Sequence, residues 1–158
     1  MADFSGEVTL REVEDSDLPT LFEDQRDPEV VKMAAFPPRE REAFMAHWGK
    51  IRADPINILR TILYNGQVAG SIVSWIQDDL REGGYGVGRE FWGRGIATQA
   101  LRLFLQLVED RPLYGYTAEH NLGSMRVLEK CGFVKAGESK GVLNVAGELV
   151  AEVFYRLD

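Results

Sequence analysis

Between Val8 and Arg11 apolar and polar residues alternate, Val8 and Leu10 against Thr9 and Arg11, the two-residue period of a strand with one buried face. Asp15 or Ser16 then offers a side-chain cap, so a helix is predicted to about Asp24. Asp27-Pro28 repeats the signal. An acceptor side chain precedes a ring whose missing N–H costs nothing at the first helical position, predicting a second short helix from Pro28 to Ala34. Phe36-Pro37-Pro38 breaks it. From about Arg39 to Ala53, Phe44, Trp48 and Ile51 recur at helical spacing, and Asp54-Pro55 ends that element. Two β-rich runs follow, INILRTILY and QVAGSIVSWI, joined by Asn65-Gly66, a dipeptide that tolerates the positive φ angles of a tight hairpin. The acidic stretch DDLREG reads as a loop, and GYGVG after it as a short strand against which a backbone or ligand can press closely. Gly95 to Val108 is apolar around most of its circumference and is predicted to be a buried helix. LYGYTA reads as a strand, NLGSMRVLEKCG as a helix opened by Asn121 and stopped by Gly132, and FVKAGES and ELVAEVFYRL as closing strands. This order predicts a mixed α/β (α+β) chain, one mixed sheet with helices on its faces, and not a doubly wound dinucleotide fold.

The 158 residues suit one domain, residues 1–158, with no linker or repeat dividing it. At 45% hydrophobic and 27% charged residues the composition is that of an ordinary folded protein, which removes disorder. A formal charge of −7 argues against nucleic acid as the partner, because phosphate-backbone binding needs a basic surface. A cationic partner suits it better. No run of about 18 apolar residues offers a membrane span, and MADFSGEVTL lacks the basic and apolar regions of a signal peptide, so a cytoplasmic protein is expected. The single cysteine, Cys131, makes neither an internal disulfide nor a metal cluster and is read as a small buried hydrophobe; no metal is expected.

Candidate chemistry concentrates in FWGRGIATQA, Phe91 to Ala100. A helix start offers unpaired N–H groups and the positive end of the macrodipole, so a glycine turn entering a helix can cradle an anion. Gly93 and Gly95 let the main chain approach closely, Ala97 keeps the first turn open, Thr98 adds a hydroxyl and Arg94 a charge. The usual nucleotide motifs fail: there is no Gly-Lys-Ser/Thr, and no GxGxxG follows the first strand. From Arg89 to Cys131 six basic face five acidic residues, whereas the rest of the chain carries 12 against 20.

Taken with its flanks, GYGVGREFWGRGIATQAL followed by NLGSMRVLEKCGF resembles the GNAT superfamily of acetyl-CoA-dependent N-acetyltransferases, and is most similar to its RimJ/RimL-like branch. The superfamily signature falls on Trp92, Gly95 and Ala97, with tryptophan departing from the general pattern but usual in this branch. The second motif is matched by Asn121, Ser124, Arg126, Val127, Leu128, Glu129, Lys130, Gly132 and Phe133. The resemblance implies a GNAT fold, a mostly antiparallel sheet of about seven strands whose fourth and fifth strands splay apart, with flanking helices. It implies that the amides of Gly93, Arg94, Gly95, Ile96, Ala97 and Thr98 hold the pyrophosphate of acetyl-CoA. The pantetheine arm would run along the backbone of Tyr85, Val87 and Gly88, while Arg89, Arg126 and Lys130 meet phosphates from the rim.

The activity so implied is direct attack of a primary amine, from a protein N-terminus or a small molecule, on the thioester. Such a reaction needs an oxyanion donor, an acid for the thiolate and a base for the amine. A backbone N–H near Val87 suits the first. Many relatives place a tyrosine acid where this chain has Leu128, so Ser124 becomes the candidate acid, with a helix-surface serine as the plain alternative. Asn121 is read as a helix cap that also bonds the pantetheine. Glu82 is the candidate base; Tyr116, Glu119, His120, Glu152 and Tyr155 remain alternatives, and His47 is read as packing or surface. Met33, Phe36 and Trp75 are candidates for the acceptor pocket. Leu128 and the open choice of base also keep a catalytically inactive CoA-binding sensor or structural module in view. The terminal strands are free to pair in a homodimer, although nothing requires it.

Overall fold

Strand β1 (Val8–Arg11) pairs antiparallel with β2 (Ile58–Tyr64), and β2 with β3 (Gln67–Gln77) through Asn65-Gly66, at φ 51° and 81°. A two-residue hairpin of this hand needs left-handed φ at both positions, which Asn and Gly adopt at least cost. β3 turns into β4 (Leu80–Val87) at Asp78-Asp79, again with positive φ, 51° and 64°. The DDLREG loop expected from its polarity is therefore a tight turn plus the first four residues of β4. Arg81 takes its place in the strand by bonding Asp110 at 2.9 Å and the Ile56 carbonyl at 3.0 Å, so an ion pair stands where apolar alternation would have marked the element.

β5 (Leu113–Ala118) lies parallel to β4, and β7 (Leu149–Leu157) and β6 (Val134–Leu143) follow antiparallel, giving one seven-stranded sheet in the order β1-β2-β3-β4-β5-β7-β6. The computed structural model describes residues 6–34, 37–144 and 146–158. Phe36, expected to end a helix and to line the acceptor pocket, lies outside them.

Among the described residues five α-helices cover the sheet: α1 (Leu18–Arg26), α2 (Pro28–Met33), α3 (Arg41–Ala53), α4 (Ile96–Phe104) and α5 (Leu122–Lys130). On one face Ile96, Ala100, Leu101 and Phe104 of α4 and Leu128 of α5 meet Ile62, Ile72, Leu113, Val153 and Tyr155. On the other, Leu21, Phe22, Phe44 and Trp48 from α1 and α3 close over Leu59, Val68 and Val73. Full burial of each such aromatic or aliphatic side chain contributes roughly 1.5–3 kcal/mol. The predicted helix to Val108 ends at Phe104; Leu105 to Val108 form turns that still bond to Leu101, Leu103 and Phe104. Val108 is fully buried all the same, because apolar periodicity reports burial and not the end of the helical ladder.

The start of α1 also differs from expectation. A 3₁₀ turn, Asp15–Asp17, precedes it, and Asp17 is the buried member. Its carboxylate accepts two bonds from Arg11 (2.8 and 2.9 Å), one from Thr61 Oγ1 (2.6 Å) and one from the Glu14 N–H (2.9 Å). Asp17 thereby ties β1, β2 and α1 together, which explains a buried charge beneath a helix.

Candidate active site

β4 and β5 pair only through Arg81↔Leu113, Glu82↔Tyr114 and Gly83↔Gly115. Beyond that point β4 stays with β3, while Tyr116, Thr117 and Ala118 of β5 stay with Phe154, Val153 and Glu152 of β7, so the two parallel strands splay apart. The Gly88 N–H donates to Ala69 O at 2.9 Å. Hydrogen bonding alternates along an antiparallel ladder, so the N–H and C=O of Tyr85 and Val87 point away from β3 and into the gap. Trp92 confirms the direction: its indole N–H donates to Val87 O at 2.8 Å. What remains open to an extended ligand is the N–H and C=O of Tyr85 and the N–H of Val87.

The upper end of this edge runs into the start of α4. Gly93 (φ 79°) and Gly95 (φ 72°) both adopt left-handed backbone, and Gly95 is the N-cap with no side chain closing the helix end. The first helix bond there is Gln99 N–H to Gly95 O, which leaves the preceding amides unpaired by the helix. A side chain at either glycine would be strained and would project into open space, since nothing lies within 4 Å of a Cβ at Gly93 and only Gln99 Nε2, at 3.8 Å, near one at Gly95. Unpaired amides, an aligned helix dipole and an empty approach fit a phosphate group.

Edge and cradle open into one cleft of about 470 Å³, within the roughly 300–1,000 Å³ of small-molecule and cofactor sites. It brings together Tyr85, Val87, Trp92, Gly93, Gly95, Ile96, Ala97, Thr98, Asn121 and Ser124, all marked by the sequence. Val30, Met33 and Ala34, at and just after α2, form a wall, of which the sequence marked Met33 as an acceptor-pocket residue and left Val30 and Ala34 unmarked. Two bonds fix that wall. Asn121 Nδ2 donates to Met33 O at 3.3 Å, and His120 Nε2 lies 2.7 Å from Lys32 O. Asn121 meanwhile caps α5, its Oδ1 accepting from the Ser124 N–H at 3.1 Å.

Ser124 Oγ lies 2.8 Å from the hydroxyl of Tyr85, which also donates to Ser124 O at 3.2 Å. Burial pushes the Tyr85 phenol up to about 12, so it stays protonated at neutral pH. Nothing in the local sequence announces this partnership.

Other marked residues stand off the cleft. Gly88 is buried with its Cα against the Asp24 carboxylate, leaving about 3.0 Å for a Cβ. Arg89 pairs with Asp27 at 3.0 Å, and Arg94 lies over the Tyr64 ring, 5.6 Å from its centroid. Arg126 is exposed on α5. Glu82 sits at the closed end of the splay; burial, then Asp78 and Glu152, raise its pKa. His47 is partly buried on α3, where burial, Arg39 and Lys50 lower its pKa. Asp24, which the sequence did not mark, is pushed up to about 6 by burial and by the charges of Glu90, Asp27 and Glu23. Among the described residues no group of histidine, cysteine and carboxylate side chains is arranged to hold a metal, and no helix is long and apolar enough to cross a membrane.

A helix start with open amides, continuous with a free strand edge at a splayed parallel pair, is an arrangement that suits a coenzyme A-binding acyltransferase. The chain belongs to the acetyltransferase (GNAT) domain family, whose sequence model matches residues 7–134. It is 32% identical over 124 residues to "Putative ribosomal N-acetyltransferase YdaF" of Bacillus subtilis (strain 168), covering 74% of this chain and 68% of that protein. Its fold is shared with spermidine N-acetyltransferase from Vibrio cholerae, solved with CoA and spermine (TM-score 0.81, 18% identity, 95% of this chain and 94% of that one). It is shared too with RimL, a ribosomal L7/L12 alpha-N-protein acetyltransferase solved with coenzyme A (TM-score 0.80, 18% identity, 95% and 93%).

Proposed function

We propose that the chain N-acetylates a primary amine, on a protein N-terminus or a small molecule, using acetyl-CoA. The observation that carries this reading is the continuity of the α4 amide cradle with the free peptide groups of Tyr85 and the free Val87 N–H, which matches a diphosphate followed by an amide-bearing tether. Acetyl-CoA supplies a thioester: the amine nitrogen bonds to its carbonyl carbon, the carbon–sulfur bond breaks, and an amide and a free thiol result.

The amides from Gly93 to Thr98 hold the diphosphate, with Arg126 and Lys130 of α5 as charges at the rim; Arg94 and Arg89 add to them only on leaving Tyr64 and Asp27. Tyr85 and Val87 orient the tether by backbone bonds, and the Val87 N–H is the donor to the carbonyl oxygen. Trp92 already occupies the Val87 carbonyl, so that oxygen serves the tether only if the indole turns away. Ser124 gives a proton to the leaving sulfur. Glu82 takes one from the incoming amine, and its raised pKa suits a base working near neutrality. The identity with the ribosomal N-acetyltransferase supports a place in the RimJ/RimL-like branch.

Two measurements test the reading together. Acetyl-CoA should raise the melting temperature where ATP and NAD do not, and free thiol should appear with at least one member of a panel of amines. Thermal stabilisation without thiol release from any amine would replace the transferase by a CoA-binding module.

A further inference from the structure

The sheet face opposite α4 and α5 carries two carboxylates whose charge the fold leaves uncompensated. Glu152 lies on β7 opposite Ala118, and Glu82 on β4 opposite Tyr114. Between them on the same face stands Tyr116, 40% exposed and stacked on Phe154 with centroids 5.3 Å apart. Glu152 is only 9% exposed, yet no arginine, lysine, histidine or hydrogen-bond donor among the described residues partners its carboxylate. Its oxygens are also not sealed off, because no side-chain oxygen among the described residues is both wholly buried and unpaired. A mostly buried charge with no partner in the protein is destabilising for the fold, and a ligand cation offsets it.

The charges converge on one place. Burial raises the pKa of Glu152; the Glu152 charge adds to the rise at Glu82; and both carboxylates act on Tyr116, after burial. Glu82 sits where the β4/β5 gap closes, and Glu152 lies four residues along β5 toward its open end and on the other side of it, so their backbone positions are about 16 Å apart, from about 3.3 Å per residue along the strands and about 4.8 Å per strand across them. The aromatic ring of Tyr116 spans the interval. One carboxylate suffices for the reacting nitrogen. The second lies at the distance of another charge on the same molecule.

We infer that Glu152 holds a second ammonium group of the acceptor, so that the preferred substrate is an aliphatic amine carrying at least two positive nitrogens. The inference rests on the acetyltransferase reading for the role of Glu82 and names the substrate class of that same site.

The test is titration calorimetry on the full chain with CoA present, using spermidine and butylamine as probes against wild type and Glu152→Gln. Spermidine should bind wild type at least tenfold more tightly than butylamine, and Glu152→Gln should remove that advantage while leaving CoA affinity unchanged. The variant should melt no lower than wild type, because the lost charge has no partner in the protein. Equal spermidine affinity in the two proteins, no binding to wild type, or equal binding of the two probes would each overturn the inference. A melting temperature well below wild type would make Glu152 structural and overturn it too. Absence of thiol release with every amine, by contrast, strikes the acetyltransferase reading and leaves the calorimetric comparison standing.

Discussion

The phenol oxygen of Tyr85 lies 2.8 Å from Oγ of Ser124, joining β4 to the first turn of α5. The phenol has one proton and two acceptors in reach, Ser124 O and the nearer Ser124 Oγ; donated to Oγ, it leaves the serine's own proton for the cleft. Ser124 is thereby held at the cleft wall, with its proton free for the leaving sulfur while the phenol donates to Oγ. Ser124→Ala should lower kcat by roughly 10²-fold, the scale of a lost general acid, with little change in the KM for acetyl-CoA. Tyr85→Phe, which removes the anchor and keeps the ring, should cause a smaller loss. Steady-state kinetics decide the point, and a normal rate in Ser124→Ala would return the serine to a structural role.

Gly95 serves both the fold and the proposed ligand site. At φ 72° a Cβ costs about 1–2 kcal/mol of backbone strain, without a clash inside the protein. Gly95→Ala should lose about that much stability in chemical denaturation. Gly95→Trp should also abolish acetyl-CoA binding by calorimetry, because the indole fills the cradle. Retained affinity in a folded Gly95→Trp protein would displace the diphosphate from α4.

Asp24 behind Gly88 gives a pH dependence with a definite sign. Its carboxyl titrates near 3.8 in the unfolded chain and at about 6 in the folded one. The folded state therefore binds the proton more tightly, and stability falls as pH rises between those values and stays lower above them. Asp24→Asn should add about 2 kcal/mol at neutral pH and almost nothing below about pH 4. Melting curves at the two pH values check this.

Asp17 has the opposite sign. The hydrogen bonds from Arg11 lead the causes that hold its carboxyl down at about 2, against burial, with the Glu14 N–H and Thr61 adding to the effect. Its contribution is therefore complete above the unfolded value of 3.8 and is lost as pH falls through about 2. Asp17→Asn should cost about 3 kcal/mol at neutral pH, because Arg11 loses a buried partner. Urea denaturation at neutral pH measures the cost.

The sequence was most informative where one residue type has one physical use. Asn65-Gly66 marked its hairpin because both residues accept positive φ, and Asn121 and Gly132 marked the ends of α5. Gly93 and Gly95 marked the turn before α4 for the same reason. It was least informative where a feature depends on distant partners. The start of β4 was hidden because Arg81 is stabilised by Asp110 and not by an apolar neighbour. The bond from Tyr85 to Ser124 spans 39 positions, and the wall of Val30, Met33 and Ala34 is set by bonds to His120 and Asn121. Arg89, whose role as a phosphate contact the resemblance implies, has Asp27 as its partner in the fold, which the local sequence does not announce. Charge along a chain says little about which opposite charge will be near.

The most direct measurement is a crystal structure of the chain with coenzyme A. The diphosphate is predicted over the amides from Gly93 to Thr98, with the pantetheine arm bonded to the backbone of Tyr85 and Val87 in the β4/β5 gap. Coenzyme A bound elsewhere, with that gap closed by the protein's own side chains, would contradict the account.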